Sequence, residues 1–467
     1  MNFSASNTTL WNTVIQFGMI GLITLLSNVL RRKLPLVRKT LLPVSVLAGF
    51  VLLFMRISGL ISIDSKLFET VMYHAIAIGF ITLALQTVSE NEKIKNTDFV
   101  AVKSGALIVA TYLLQGVLGL AISIGLAYTI KPDMFKAAGI LLPMGYGQGS
   151  GQANNVGSTY QALGFAGGQS FGLSIAAIGY VASCIVGIIY LNHLKNRKSK
   201  SGIQWHKQEE VLLVEHFEST DEPSATDSID RFSTQVFLVM SVYLVTYLVT
   251  LGLDRLITAT LPELAKMVIP ILWGFNFVIG TLIGQATRGM FNSLRKRGIM
   301  THQYVNNYLM GRISGFAFDL MVIAGIATIN INDLSGLWLP FWLMAVLGAI
   351  ITLIYLQWLC RHLYPDYYDE GLLSMYGMLV GNISSGMMLL REIDPDFRSP
   401  AAGNLVSGTS FAILLGAPLL ILIGLAPQSD LMVFVTMGLL LIYMVPLILF
   451  ILKGKRKAIA PIQKKKA

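Results

Sequence analysis

Apolar runs close to the about 20 residues that a helix needs to cross a bilayer recur along the whole chain, separated by short polar stretches. In the first half they cover Trp11–Leu30, Leu41–Leu60, Lys66–Val88, Ala101–Ile130 and Gly168–Leu191. Asn192–Asp230 then mixes basic, acidic and hydroxyl residues without a long apolar run, and reads as a linker. The second half repeats the order with Val236–Leu256, Met267–Ile283, Tyr304–Ile329, Gly336–Cys360 and Ala401–Leu425, and a final run covers Leu431–Leu452.

Two glycine- and amide-rich stretches interrupt this pattern. Pro143–Thr159 holds Gly145, Gly147, Gly149 and Gly151, and its apolar arms Phe135–Met144 and Val156–Phe165 are too short to cross. Gly377–Gly386 holds Gly377, Gly381 and Gly386. Glycines this dense break a membrane helix, and the freed backbone groups are tolerated at membrane depth only inside protein or along a cavity. The pattern therefore predicts re-entrant hairpins over residues 135–165 and 371–394. A glycine-rich connecting loop outside the bilayer is the alternative for the first, since glycine and asparagine are ordinary turn residues.

Composition agrees with a membrane setting. Of 467 residues, 54% are hydrophobic and 13% charged, against roughly 25% charged in soluble domains. The net charge of +10 falls where cytoplasmic loops should hold it, which argues against nucleic acid as a partner. With the N-terminus outside, the inner loops take Arg31, Arg32, Lys33, Arg38 and Lys39, then Lys93, Lys95 and Lys103, the linker cations, Arg288, Arg295, Lys296 and Arg297, Arg361, and the tail from Lys453. The outer loops take only Arg56, Lys66, Lys131, Lys136, Arg255 and Lys266. Five spans and one hairpin per half then require the second half to insert upside down, as in many secondary transporters. The expected architecture is an all-α polytopic membrane protein of two inverted five-span repeats, 1–191 and 231–425, each with its hairpin. A linker at 192–230 joins them, and an extra span with a basic cytoplasmic tail occupies 426–467. The plasma membrane is the expected location. Met1–Thr9 lacks the positive region of a cleavable signal, so none is expected.

The polar side chains inside these runs are the candidate site. Hairpin one offers Gln148, Ser150, Gln152, Asn154 and Asn155, and hairpin two offers Asn382, Ser384 and Ser385. Amides and hydroxyls donate and accept hydrogen bonds without the desolvation cost of a formal charge. Freed carbonyls and helix N-termini at such tips can hold a cation or an anion. Asn404 and Ser407, three residues apart, share a helical face that either lines the site or bonds to a neighbouring helix. Asp319 lies mid-span, where ionisable groups mark ion paths or buried pairs. Arg312 and Arg391 either contribute charge or snorkel and pair locally, and His74 reads as a hydrogen-bonded packing residue. Small residues at Gly168, Gly172, Ala176, Gly179, Ser183 and Gly187 allow close helix packing. Cys184 and Cys360 read as buried free thiols. No phosphate loop, metal-ligand motif or nucleophile motif suggests an enzyme.

Residues 311–400 resemble the sodium/glutamate symporter family, through Ile313–Leu320, Pro365–Asp369, Gly377–Gly381, Ser384-Ser385 and Asp396–Pro400; Gly145-Tyr-Gly-Gln-Gly149 resembles the family's other glycine motif. The chain departs from it at Tyr146, where the family typically has His, and in an amide-richer first turn. The resemblance implies sodium as coupling ion with no other cofactor. It also implies uptake of glutamate or a related amino or dicarboxylic acid, a homodimer, and an elevator-like moving domain. The expected function is a cation-coupled symporter for a small anionic or zwitterionic solute. A channel with a hairpin-built filter, or a non-transporting membrane sensor, are the alternatives.

Overall fold

The computed structural model describes residues 4, 7–34, 41–86, 97–200, 225–274, 276–300, 304–394 and 399–453. Arg38 and Lys39, Lys93 and Lys95, the middle of the expected linker (201–224), Asp396–Arg398 and the basic tail from 454 lie outside the described residues. Those described form helices and connections, with no strand among them.

Seven helices form one group: α1 (Thr8–Lys33), α2 (Val44–Ile57), α3 (Ser65–Leu85), α8 (Ala225–Thr260), α9 (Pro262–Gly274), α10 (Asn276–Lys296) and α11 (Asn307–Ala327). Within this group α3 packs along α10 and α11, α11 along α2, α1 along α2, and α8 along α9 and α10. The second group comprises α4 (Thr97–Thr129), α5 (Leu141–Tyr146), α6 (Ser150–Ala162), α7 (Gly168–Lys200), α12 (Trp338–Leu363), α13 (Tyr368–Val380), α14 (Ile383–Arg391), α15 (Ala401–Leu415), α16 (Ala417–Leu425) and α17 (Asp430–Leu452). Its centre is α4, which carries α12, α15 and α17, while α7 carries α5, α6 and α13. The groups therefore alternate along the sequence in four blocks. They meet mainly where α6 packs on α3 and α11.

This is a polytopic, all-helical membrane protein. Among the described residues α1, α3, α4, α7, α8, α11, α12 and α17 are long and apolar enough to cross a bilayer, and the pair α15 and α16 makes a further span if its 52° bend is bridged. One expected span differs from the sequence reading. Leu41–Leu60 contains only the 14-residue α2, about 21 Å at 1.5 Å per residue, short of a hydrocarbon core of about 30 Å. Met267–Ile283 is shared between α9, described as far as Gly274, and α10, described from Asn276; residue 275 between them lies outside the described residues. The last two carbonyls of α9 accept from side chains. Tyr73 Oη donates to Trp273 O at 2.8 Å and Asn155 Nδ2 to Gly274 O at 2.8 Å. The expected linker is also shorter than 192–230, because α7 runs on to Lys200 and α8 begins at Ala225.

Helix α7 explains its own stripe of small residues. A Cβ on Gly172 would lie 2.7 Å from Ala153 O of α6, and one on Gly179 only 2.3 Å from Val380 O of α13. Gly187 faces Leu389 of α14 equally closely. The two glycine-rich segments are thus seated on opposite stretches of one helix, and backbone contact sets their positions. At its two ends α17 is tied to the first half of the chain. Lys136 pairs with Asp430, and the buried Lys103 donates to Ile451 O at 2.9 Å and Lys453 O at 2.7 Å.

Candidate functional site

The first glycine-rich segment is a helix–turn–helix. Helix α5 closes with Gly147 N donating to Pro143 O at 3.0 Å. Gly149 takes φ 82°, a left-handed conformation that suits glycine, and α6 restarts at Ser150. The second segment turns at Gly381, and α14 restarts with Asn382 as N-cap. Asn382 Oδ1 accepts from Ser385 N at 2.7 Å and from Ser385 Oγ at 2.9 Å, the bond that a capping asparagine makes to the N3 amide. The arms of this segment touch: a Cβ on Gly377 would lie 2.7 Å from Gly386 Cα.

Both turns open onto one cavity of about 120 Å³. Gly147, Gln148 and Gly149 come from the first turn; Gly381, Asn382 and Ser384 come from the second. Gly416, at the bend between α15 and α16, also lines it, and so does Phe277, the second residue of α10. The two glycine-rich turns and the bend between α15 and α16 therefore gather around the same space. The other group of helices supplies Phe80 of α3, Phe277 and Val278 of α10, and Phe318 and Met321 of α11 to the wall. The three phenylalanines pack on one another, with Phe80 to Phe277 ring centroids 5.1 Å apart and Phe80 to Phe318 5.6 Å. No charged side chain is among the described residues that line the cavity.

The sequence-derived site residues divide into those at this cavity and those bonded elsewhere. Gln148, Asn382 and Ser384 line it. Ser385 is buried behind it in the Asn382 cap. Ser150 N donates to Tyr180 Oη at 3.2 Å and Ser150 Oγ to Met321 O at 3.3 Å, which ties the start of α6 to α7 and α11. Gln152 is fully buried, and neither its amide nitrogen nor its oxygen has a partner among the described residues. Asn154 accepts from Gln169 Nε2 at 2.9 Å and Asn155 serves the Gly274 carbonyl; both line a separate, open pocket with Glu69, Tyr73 and His74. His74 pairs with Tyr243 Oη at 2.7 Å. Asn404 Nδ2 donates to Tyr367 Oη at 2.6 Å, away from the cavity. Burial pushes the Tyr367 phenol up to about 12, an effect that the Asn404 bond opposes. Ser407 Oγ bonds back to Gly403 O at 2.6 Å.

Asp319 does not line the cavity. It is exposed on the surface of α11, beside Ser45 of α2, and its neighbour Phe318 takes the inward position. Arg312 lies over the Tyr308 ring, 5.0 Å from its centroid, and bonds to its hydroxyl. Sequence reasoning passed over Tyr112, Thr409 and the three phenylalanines of the wall. Tyr112 and Thr409 are polar groups in apolar runs and carried a usable signal, whereas a phenylalanine facing a cavity reads the same as one facing lipid. No protein-family model matches the chain, and no curated protein is significantly similar to it.

Proposed function

We propose that this protein is a cation-coupled secondary transporter, and that the cavity between the two glycine-rich turns is its solute site. The observation that carries this reading is the meeting of the two glycine-rich turns and the α15–α16 bend at one cavity between two groups of helices. Broken helices at mid-membrane supply backbone groups to solutes and ions, and secondary transporters build their sites from such pairs at a repeat interface.

In this reading the two segments are re-entrant hairpins, the first entering from outside and the second from the cytoplasm, and the chain is two inverted repeats. The alternation of the two helix groups along the sequence supports it: residues 8–85 and 225–327 make one group, 97–200 and 338–452 the other. Each repeat then contributes its first three spans to one body and its hairpin and later spans to the other. A solute held by the hairpins against the aromatic face of α3, α10 and α11 is carried when one body slides past the other, an elevator-like exchange of access. The wall fits sliding, because Phe80, Phe277, Phe318 and Met321 offer contact without directional bonds. The resemblance to sodium/glutamate symporters names sodium as the ion, the plasma membrane as the location and a homodimer as the assembly. The solute is a small anionic or zwitterionic molecule.

The test is uptake of labelled amino and dicarboxylic acids into proteoliposomes, with an inward sodium gradient, a proton gradient or neither. Saturable accumulation that needs one gradient supports symport and identifies the ion. Non-saturating flux in both directions would replace the transporter with a channel.

A further inference from the structure

We infer that the cavity takes a small amphipathic solute of zero net charge, a neutral amino acid by chemical class, with its polar head at the two turns and its apolar end against Phe80, Phe277 and Phe318. The inference rests on the transport reading of the same site. It runs against the acidic solute that the resemblance implies.

The polar side chains of the cavity all come from the group of helices that carries the turns, and one of them, Thr409, is committed to Leu405 O of its own helix. Gln148, Asn382 and Ser384 belong to the turns, and Tyr112 of α4 stands beside them with its ring 2.3 Å from where a Cβ on Gly147 would be. The Gln148 amide, the Ser384 and Tyr112 hydroxyls and the Asn382 Nδ2 group make no hydrogen bond to other described side chains; the Asn382 oxygen alone is committed, to Ser385. This head site is neutral, and it both donates and accepts. Amide and hydroxyl groups in such a mixture match a zwitterion, whose carboxylate needs donors and whose ammonium needs acceptors. A head carrying only a carboxylate would leave the acceptor oxygens unmatched.

The opposite side is apolar. The phenylalanine cluster and Met321 leave a second carboxylate with no cation and no donor on that wall. Burying an unpaired carboxylate is far costlier than burying a methyl group, so an acidic side chain is rejected where an aliphatic one is accommodated. The volume, about 120 Å³, greatly exceeds the roughly 10–15 Å³ that one water requires. It suits a short side chain better than a large aromatic one.

The experiment uses the full chain in proteoliposomes with an inward sodium or proton gradient. Alanine, valine, leucine, methionine, glutamate and aspartate serve as labelled solutes, and thermal unfolding of the purified protein with each of them is the second readout. The expected result is accumulation of the neutral solutes at about tenfold or more the rate of the acidic ones, in line with the discrimination a single unmatched group gives, and stabilisation by the neutral solutes alone. In Phe318→Ala the wall recedes, and the ratio of leucine to alanine uptake should rise several-fold. That ratio does not depend on how much protein folds. Glutamate or aspartate accumulated as well as the neutral solutes would overturn the inference and leave the transport reading standing. An unchanged ratio in Phe318→Ala would overturn the placement of the apolar end. Neither class accumulated or stabilising, with the protein folded, would overturn both.

Discussion

Replacing Gln115 with Leu should destabilise the protein by about 2–3 kcal/mol and damage the second turn from a distance. Gln115 of α4 is fully buried, and its Nε2 donates to Leu379 O at 2.9 Å and to Thr352 Oγ1 at 3.1 Å. Leu379 sits in the last turn of α13, where carbonyls have no intrahelical partner. Gln115 therefore holds the backbone two residues before the turn at Gly381. Leucine fills a similar volume, so packing changes little. The loss is two bonds of about 1 kcal/mol each, plus about 1–3 kcal/mol for leaving a buried carbonyl without a donor. Removing the unpartnered Gln115 Oε1 offsets part of this. A thiol-reactive dye reports unfolding, because Cys184 and Cys360 are both free and buried. At one scan rate, since unfolding of such proteins is often irreversible, the apparent melting temperature should fall by roughly 2–6 °C. Ser241→Ala is the control, removing only a bond from its hydroxyl to Phe237 O on the surface of α8, and should melt as the unaltered protein does. Equal melting of Gln115→Leu and the unaltered protein would refute the claim that this amide sustains the turn.

Other substitutions test other parts of the account. Asn382→Ala removes the α14 cap and should cost about 1 kcal/mol with a larger fall in uptake, whereas Asn382→Asp keeps the cap and should restore melting but not uptake. Gly179→Val places side-chain atoms against Val380 O and the Tyr146 ring, and overpacking of about 1–3 kcal/mol should show as reduced folded yield on gel filtration. Lys103→Met removes the ammonium that holds the last carbonyls of α17, so limited proteolysis should cut near Leu452 faster than in the unaltered protein. Asp319→Asn changes a charge outside the cavity, so solute affinity in a binding assay should stay within about twofold.

The membrane-spanning helices were legible because a bilayer demands length and apolarity, which Ala101–Ile130 and Leu431–Leu452 display openly. The two glycine-rich turns were legible for the opposite reason: their amides and glycines have no use against lipid. The bonds to the Trp273 and Gly274 carbonyls were hidden, since their donors, Tyr73 and Asn155, lie far away in sequence. The same pairing removed Asn155 from the cavity, and Tyr367 removed Asn404. Polar residues identify a place that needs hydrogen bonds, but whether the partner is a solute or a helix end is decided by tertiary structure. Phe80, Phe277 and Phe318 could not be singled out, because period and composition are alike for side chains facing lipid and for those facing a cavity.

The central claim is that the two turns form one solute site. Cysteine labelling tests it most directly, with Gln148→Cys and Ser384→Cys introduced singly into a protein whose Cys184 and Cys360 are replaced by Ala. The account predicts that a transported solute, together with the coupling ion, slows labelling at both positions with the same concentration dependence. Protection at one position and not the other, while uptake persists, would contradict it.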